Sequence, residues 1–272
     1  MLGLEIGLPP ENWYRKRGRS KSRKSLIVGG TKIGGTPSAK YYEELKSKCN
    51  QLAAGLLPAA SEFITKEETP QGKLERACYL ASASNVTPIG VPSGAFDFRE
   101  VANIIRRENP PPAVTGNIHE IVQSASNVLY LTDNAGEIGF DSLLIAKLKE
   151  MRVRVTLLVK EAPHFEDATL DNASFFQLDK LADNILTVRG FFVPSDSVSP
   201  LTDAFRQSEL VIAKGTGNYE ALRGETKGKV VIYMLKIKCA PIAVSIGASI
   251  GQFVVDSCRE CSDLPQCQFS RR

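Results

Sequence analysis

Strands alternating with helices from residue 115 onward constrain this chain more than any other feature. Asn127-Val-Leu-Tyr-Leu-Thr132 and Val153-Arg-Val-Thr-Leu-Leu-Val159 read as buried strands. Shorter apolar runs follow at Ile185–Val188, Leu210–Ala213, Val230–Met234 and Phe253–Asp256. Between them the spacing turns helical at Ile118–Ser124, Ser142–Met151, Ala168–Leu178 and Leu201–Gln207. Single strands separated by helices cannot pair as hairpins, so each must cross over to a parallel neighbour. The expected fold class is α/β, a doubly wound, mostly parallel sheet in a Rossmann-like three-layer core.

A small helical lobe precedes it. Tyr42, Leu45, Cys49, Leu52, Leu56 and Leu57 recur at three- and four-residue steps. A second helix is expected over Gly72–Ser84, and a third over Phe98–Arg106 before the stop signal Pro110-Pro111-Pro112. The expected organisation is a basic arm and linker over 1–37, the helical lobe over 38–112, and the α/β core over 113–272.

Composition bears on partners only after it is divided. The formal net charge of +4 includes seven basic residues between Arg15 and Lys24, and without them the chain stands at −3. A solvated arm is the plain reading of that run. No aromatic residues are interleaved with it, which speaks against nucleic acid as a partner. No run approaches the roughly 20 apolar residues of a membrane span, and the N-terminus lacks the pattern of a secretory signal. A cytoplasmic protein with no membrane partner is expected, and homo-oligomerisation is left open. Of six cysteines, Cys258, Cys261 and Cys267 cluster at a spacing that suits zinc or an iron–sulfur group, against the competing reading of free thiols.

In an open parallel sheet, ligands bind beyond the carboxyl ends of the strands. Four of those ends carry chemistry here: Asp133-Asn134-Ala-Gly-Glu137, Lys160 through Asp167, Lys214-Gly215-Thr-Gly217-Asn218-Tyr219-Glu220, and Lys236-Ile-Lys238-Cys239. Each has a bland alternative: Asp133 and Asp167 as helix caps, the glycines as a tight turn, the lysines as solvated strand ends. Their joint occurrence favours a hard divalent cation held by carboxylates and an amide, with glycine-lined turns and lysines receiving phosphate.

These segments resemble the metal-dependent damage-control phosphatase family, in particular its archaeal stand-alone branch. The resemblance rests on YLTDNAGEIGFDSLLIAKLKE, VKEAP with EDAT, AKGTGNYEAL and LKIKCAPIA, across about 125 to 245. It implies a phosphatase acting on small phosphorylated metabolites such as sugar phosphates, with Mn, Ni, Co or Mg held by Asp133, Asn134 and Asp167 as the catalytic set. It further implies substrate contacts from Lys214, Gly215, Gly217, Asn218, Tyr219 and Glu220, and a phosphate-contacting lysine at Lys236 in preference to Lys238. Three departures stand out: the branch's N-terminal CxxC segment is absent, its Gly-Asn-x-Ile-Asp element reads Ser84-Asn85-Val86-Thr87-Pro88, and Phe165-Glu166 replaces a commoner pair.

An attacking water is expected rather than Asp133 as nucleophile, because the second Asp of aspartyl-phosphate chemistry is replaced by Ala135. Glu137 stands either to orient that water or to start a helix. Two rivals remain at this stage: an S-adenosylmethionine-dependent methyltransferase, and a non-catalytic nucleotide- or RNA-binding module using the arm. The first wants more glycine after the first strand than DNAGE offers, and the second wants basic charge outside the arm.

Overall fold

The computed structural model describes residues 39–86, 98–226 and 228–259. The basic run Arg15–Lys24, the Gly-rich linker before Pro37, and Cys261 and Cys267 lie outside them. The strands are β1 (Ala113–Thr115), β2 (Asn127–Leu131), β3 (Arg154–Lys160), β4 (Asn184–Val188), β5 (Leu210–Lys214), β6 (Val230–Lys236) and β7 (Phe253–Arg259). The helices are α1 (Ala39–Thr65), α2 (Pro70–Ala83), α3 (Arg99–Arg106), α4 (Ile118–Gln123), α5 (Glu137–Glu150), α6 (Leu170–Phe175), α7 (Leu178–Leu181), α8 (Leu201–Gln207), α9 (Gly215–Leu222) and α10 (Ala240–Ile246).

One seven-stranded sheet runs in the order β1-β7-β6-β5-β2-β3-β4. Every neighbouring pair is parallel except β6 and β7. From β2 the chain builds outward through β3 and β4, then returns to lay β5 against the other side of β2. That reversal opens a crevice beyond the carboxyl ends of β2 and β5, the position where doubly wound sheets bind ligands.

The pleat sorts the core by residue parity. Val128, Tyr130, Val155, Leu157, Ile212 and Ile232 face one apolar cluster, which continues into Leu74 and Leu80 of α2 and Leu144 of α5. Leu129, Leu131, Leu158, Val211 and Tyr233 face the other, with Phe205 of α8, Leu222 of α9 and Ile242 of α10. Both faces are thus covered, as near-continuous apolar strands require. The helices over 39–106 share their apolar cluster with the sheet.

Several boundaries differ from the sequence expectation, each for a local reason. The helix expected over Ser142–Met151 begins at Glu137, because Glu137, Gly139 and Asp141 are buried polar or small residues that hide the apolar rhythm. The helix expected over Ala168–Leu178 is two short helices, broken where Gln177 takes the left-handed conformation (φ 56°). The Lys214–Glu220 segment, read as a glycine turn, is largely the first two turns of α9. Gly215 (φ 77°) makes the sharp entry that its side chain would otherwise forbid. α10 and the short β1 were not expected at all; α10 carries Pro241 in its first turn and stops at Gly247.

Candidate active site

The chain leaves β2 through Thr132, whose hydroxyl donates to the Leu158 carbonyl at 2.8 Å, and delivers Asp133 and Asn134 into the crevice. The loop after β3 returns beside them. Asn134 and Asp167 form an isolated antiparallel bridge, Ala168 N–H donates to the Asp133 carbonyl at 2.8 Å, and Ala135 N–H donates to the Glu166 carbonyl at 2.8 Å. The three residues expected to ligate a cation are therefore brought together by main-chain bonds between two strand-end loops.

The Asp133 carboxylate is held from two sides. Asn85 Nδ2 donates to its Oδ2 at 2.7 Å, and Asn134 Nδ2 donates to the same oxygen at 3.0 Å. Both amides also donate to Glu137, Asn85 to Oε2 at 3.0 Å and Asn134 to Oε1 at 2.8 Å. The Asn85 carbonyl oxygen accepts from Lys236 N–H at 3.1 Å, so one side chain ties α2's end to β6 and to both acids. Gly215 meets Asp133 on its remaining side: a Cβ there would lie 2.0 Å from Asp133 Oδ2.

Electrostatically the cluster is crowded with negative charge. Burial pushes the Glu137 carboxyl up to about 8, Asp133 adding to it, while Lys214, Lys238 and the Asn85 hydrogen bond pull the other way. Burial likewise pushes Asp167 up to about 7 against the opposing charge of Lys160. Lys160 Nζ forms a buried ion pair with Asp167 Oδ2 at 3.2 Å. A buried carboxylate beside a second carboxylate and an amide oxygen, at the mouth of a switch-point crevice, is a hard-oxygen donor set that fits a divalent cation. Among the described residues no group of three or more His, Cys, Asp or Glu side chains forms a ready-made cation site. The fitting set is two carboxylates and an amide, with water and substrate left to complete it.

The other expected residues fall into different places. Lys214 is wholly buried, its Nζ donating to Asp141 Oδ1 at 2.7 Å and standing 3.9 Å from Glu137 Oε2. Tyr130 Oη donates to the same Asp141 oxygen at 2.8 Å. The Lys214 charge therefore reaches the crevice only through Glu137. Asn218 Nδ2 donates to the Thr132 and Lys214 carbonyls at 2.9 and 2.8 Å, which fastens α9 to the exit of β2. Gly217 gives room to Phe191, whose ring carbon would lie 2.2 Å from a Cβ there. Glu220 is partly buried farther along α9. Lys236 Nζ stands over the Phe253 ring at 5.1 Å, whereas the charge of Lys238 acts on Glu137 and Glu166. Of the cysteine cluster only Cys258 is described; it is partly buried, and Cys261 and Cys267 fall beyond the described residues.

Two polar contributors come from α1, whose sequence did not announce them. Asn50 of α1 accepts the Gly136 N–H at 2.9 Å, and Cys49 packs against the same glycine. Lys46, one turn earlier, is only 6% exposed, and no ion pair of its ammonium within 4.0 Å is found among the described residues. Burial lowers its pKa, against the opposing charges of Asp167, Glu166, Glu43 and Asp171. The available signal was a lysine inside the Tyr42–Leu45–Cys49 apolar stripe, a face where an unpaired charge is costly.

The sequence profile described as "Damage-control phosphatase ARMT1-like domain" matches residues 27–254. The chain belongs to that family. A protein named "Damage-control phosphatase" from Archaeoglobus fulgidus is 31% identical over 218 residues, 78% of this chain and 74% of that protein. A second of that name from Pyrococcus horikoshii is 33% identical over 183 residues, 66% of this chain and 63% of the relative. A crystal structure described as a DUF89 family protein from Pyrococcus horikoshii is similar at a TM-score of 0.63 with 28% identity, covering 79% of this chain and 74% of that one. The chain is accordingly a phosphatase of a metal-dependent family, and no helix among its described residues is long and apolar enough to cross a membrane.

Proposed function

We propose that this phosphatase hydrolyses small phosphomonoesters in the β2/β5 crevice, with Asp133, Asn134 and Asp167 as the ligands of one divalent cation. The observation that carries the reading is the main-chain bonding between two strand-end loops that sets Asp133, Asn134 and the buried Asp167 side by side. When bound, such a cation supplies Lewis-acid polarisation of the phosphoryl oxygens. The chain's own residues do the rest. Asn85 and Asn134 lock the Asp133 carboxylate in one orientation, and Glu137 is the common acceptor that aligns both amides. Lys46 and Lys238, whose charges both act on the acids, receive the phosphoryl oxygens. Lys238 takes the role that the sequence pattern offered first to Lys236, whose ammonium is engaged at Phe253.

The test is phosphate release from p-nitrophenyl phosphate and sugar phosphates by the full chain with Mn²⁺, Ni²⁺, Co²⁺, Mg²⁺ or no metal. Metal-dependent release is expected, falling about 100-fold or more in Asp133→Asn and Asp167→Asn, the scale of losing one electrostatic stabiliser of a transition state. No metal-dependent release from any of these esters, in protein whose thermal unfolding shows it folded, overturns the reading. Lys46→Gln is expected to lower kcat/KM about 10-fold, equivalent to about 1.4 kcal/mol, while Lys236→Gln changes it little.

A further inference from the structure

A continuous run of aromatic side chains borders the crevice and is used by nothing derived above. Tyr41 meets Tyr42 edge-on at 5.3 Å, Tyr42 meets Phe165 at 5.5 Å, Phe165 meets His164 at 4.9 Å, and His164 meets Phe191 at 6.4 Å. Such a chain usually marks a core, yet its two phenylalanines lie open: Phe165 is 56% exposed and Phe191 44%. Large rings left in water beside a site of function signal a surface awaiting apolar contact.

Geometry ties these rings to the carboxylates. Lys160 Nζ stands 4.3 Å from the centre of the Phe191 ring and 3.2 Å from Asp167 Oδ2, so ring and acid share one ammonium. The first turn of α9 touches both as well, Gly215 against Asp133 and Gly217 against Phe191. Phe165 sits two residues before Asp167, in a turn closed by Asp167 N–H donating to the His164 carbonyl at 2.9 Å. It also holds φ at +45°, a left-handed conformation uncommon for a bulky side chain. Backbone strain of that kind persists where the surroundings impose it, and it concentrates at ligand-contacting positions. A residue with a smaller penalty would serve a plain turn.

We infer that the Phe165–Phe191 rim is the subsite for the non-phosphate part of the substrate, and that this part is a planar unsaturated ring. The inference rests on the phosphatase reading above, and it narrows the substrate class from small phosphomonoesters to those whose alcohol part carries a planar aryl or heteroaryl ring. The ring stacks on Phe165 and Phe191 while its phosphate reaches the lysines and the cation position at Asp133 and Asp167. Aliphatic phosphates and phosphates of sugars that carry no planar ring engage the same head-group site but leave the rim in water. Flat rings recover the exposed area of both phenylalanines at once, which is why stacking platforms accept many ring types.

Binding of phenylphosphonate and methylphosphonate to the full chain, by calorimetry with and without Mn²⁺, tests this. Neither ligand is hydrolysed and both carry the same charged head, so their ratio isolates the ring. Phenylphosphonate is expected to bind about 10-fold more tightly, and Phe165→Ala and Phe191→Ala are expected to bring the ratio toward one with methylphosphonate affinity unchanged. Phe165→Tyr keeps the preference, which separates stacking from damage to the turn, and unfolding temperatures identify any variant that fails to fold. Equal affinity of the two phosphonates in the parent protein, or a preference that survives both alanine variants, overturns the inference. A ring preference in a protein with no metal-dependent hydrolysis sinks the phosphatase reading instead, so the two failures are distinguishable.

Discussion

Gly215 and Gly217 stand two residues apart in one turn of helix and answer to different constraints. A methyl group at Gly215 would collide with the Asp133 carboxylate, which two amides hold in place, and the residue would keep a strained φ. At Gly217 the obstacle is the far edge of the Phe191 ring, a half-exposed side chain that can swing aside. Gly215→Ala is therefore expected to cost about 1–3 kcal/mol of stability and most of the activity, whereas Gly217→Ala shifts substrate affinity and leaves stability nearly unchanged. Unfolding curves and kcat/KM for both variants check the contrast. Lys214 gives a second prediction at this scale. Replacing it by methionine leaves Asp141 and Glu137 buried without their cation, at a cost of about 3–5 kcal/mol. The double variant Lys214→Met with Asp141→Leu is expected to recover part of that loss in denaturant unfolding. Asp133, Asn134 and Asp167 were legible because each follows a strand within a few residues. Lys46 was not, since only packing brings a helix so distant in sequence over the same acids, and Asn85 was visible as part of a family element but with no partner to give it a role. Lys214 was legible as chemistry but not as place, because a lysine at a strand's end reads as solvated until its interior partner is known.

At the scale of elements, α1 and α2 act as a wall for loops that belong to the sheet. Asn50→Ala removes the acceptor of the buried Gly136 N–H, at an expected cost of about 1–3 kcal/mol. Its effect on activity should exceed that of a cap deletion of similar energy elsewhere. The comparison is Thr69→Ala, which removes the side-chain cap received by Gly72 N–H at the start of α2 for about 1 kcal/mol. Equal activity in the two variants at matched stability would show that α1 does not position the loop. Six of the seven strands and most helices were readable from periodicity, and their alternation was enough for the topology class. What periodicity could not supply was α9, where glycines that signal a turn enter a helix, and the first turn of α5, where buried Glu137 and Asp141 interrupt the apolar pattern.

Over the whole molecule, the sheet carries one acid against its own interest. Asp256 on β7 is buried with Oδ1 unpartnered, and burial raises its pKa, a hydrogen bond from Thr115 opposing only in part. A carboxyl whose folded pKa lies above its unfolded value costs stability wherever both states are ionised. That cost fades as pH falls through the raised folded value toward the ordinary carboxylate range of about 4. Asp256→Asn is accordingly expected to raise the Tm at pH 8, by about 2–4 °C per kcal/mol relieved, and to lose this advantage as pH is lowered toward 4. A pH series of unfolding temperatures for parent and variant decides it.

The division between α1 and the strand-end loops has an evolutionary side. The carboxylates of the proposed site lie on residues 133–167, while Tyr42, Lys46, Cys49 and Asn50 all ride on a single helix from the front of the chain. By the readings above that helix lends a phosphate-contacting lysine and one edge of the aromatic run, whereas Phe165 and Phe191 themselves belong to the loops after β3 and β4. Grafting the helix between related enzymes would then shift the affinity for phosphate more than the preference for a ring, and so separate what the helix lends from what the loops keep.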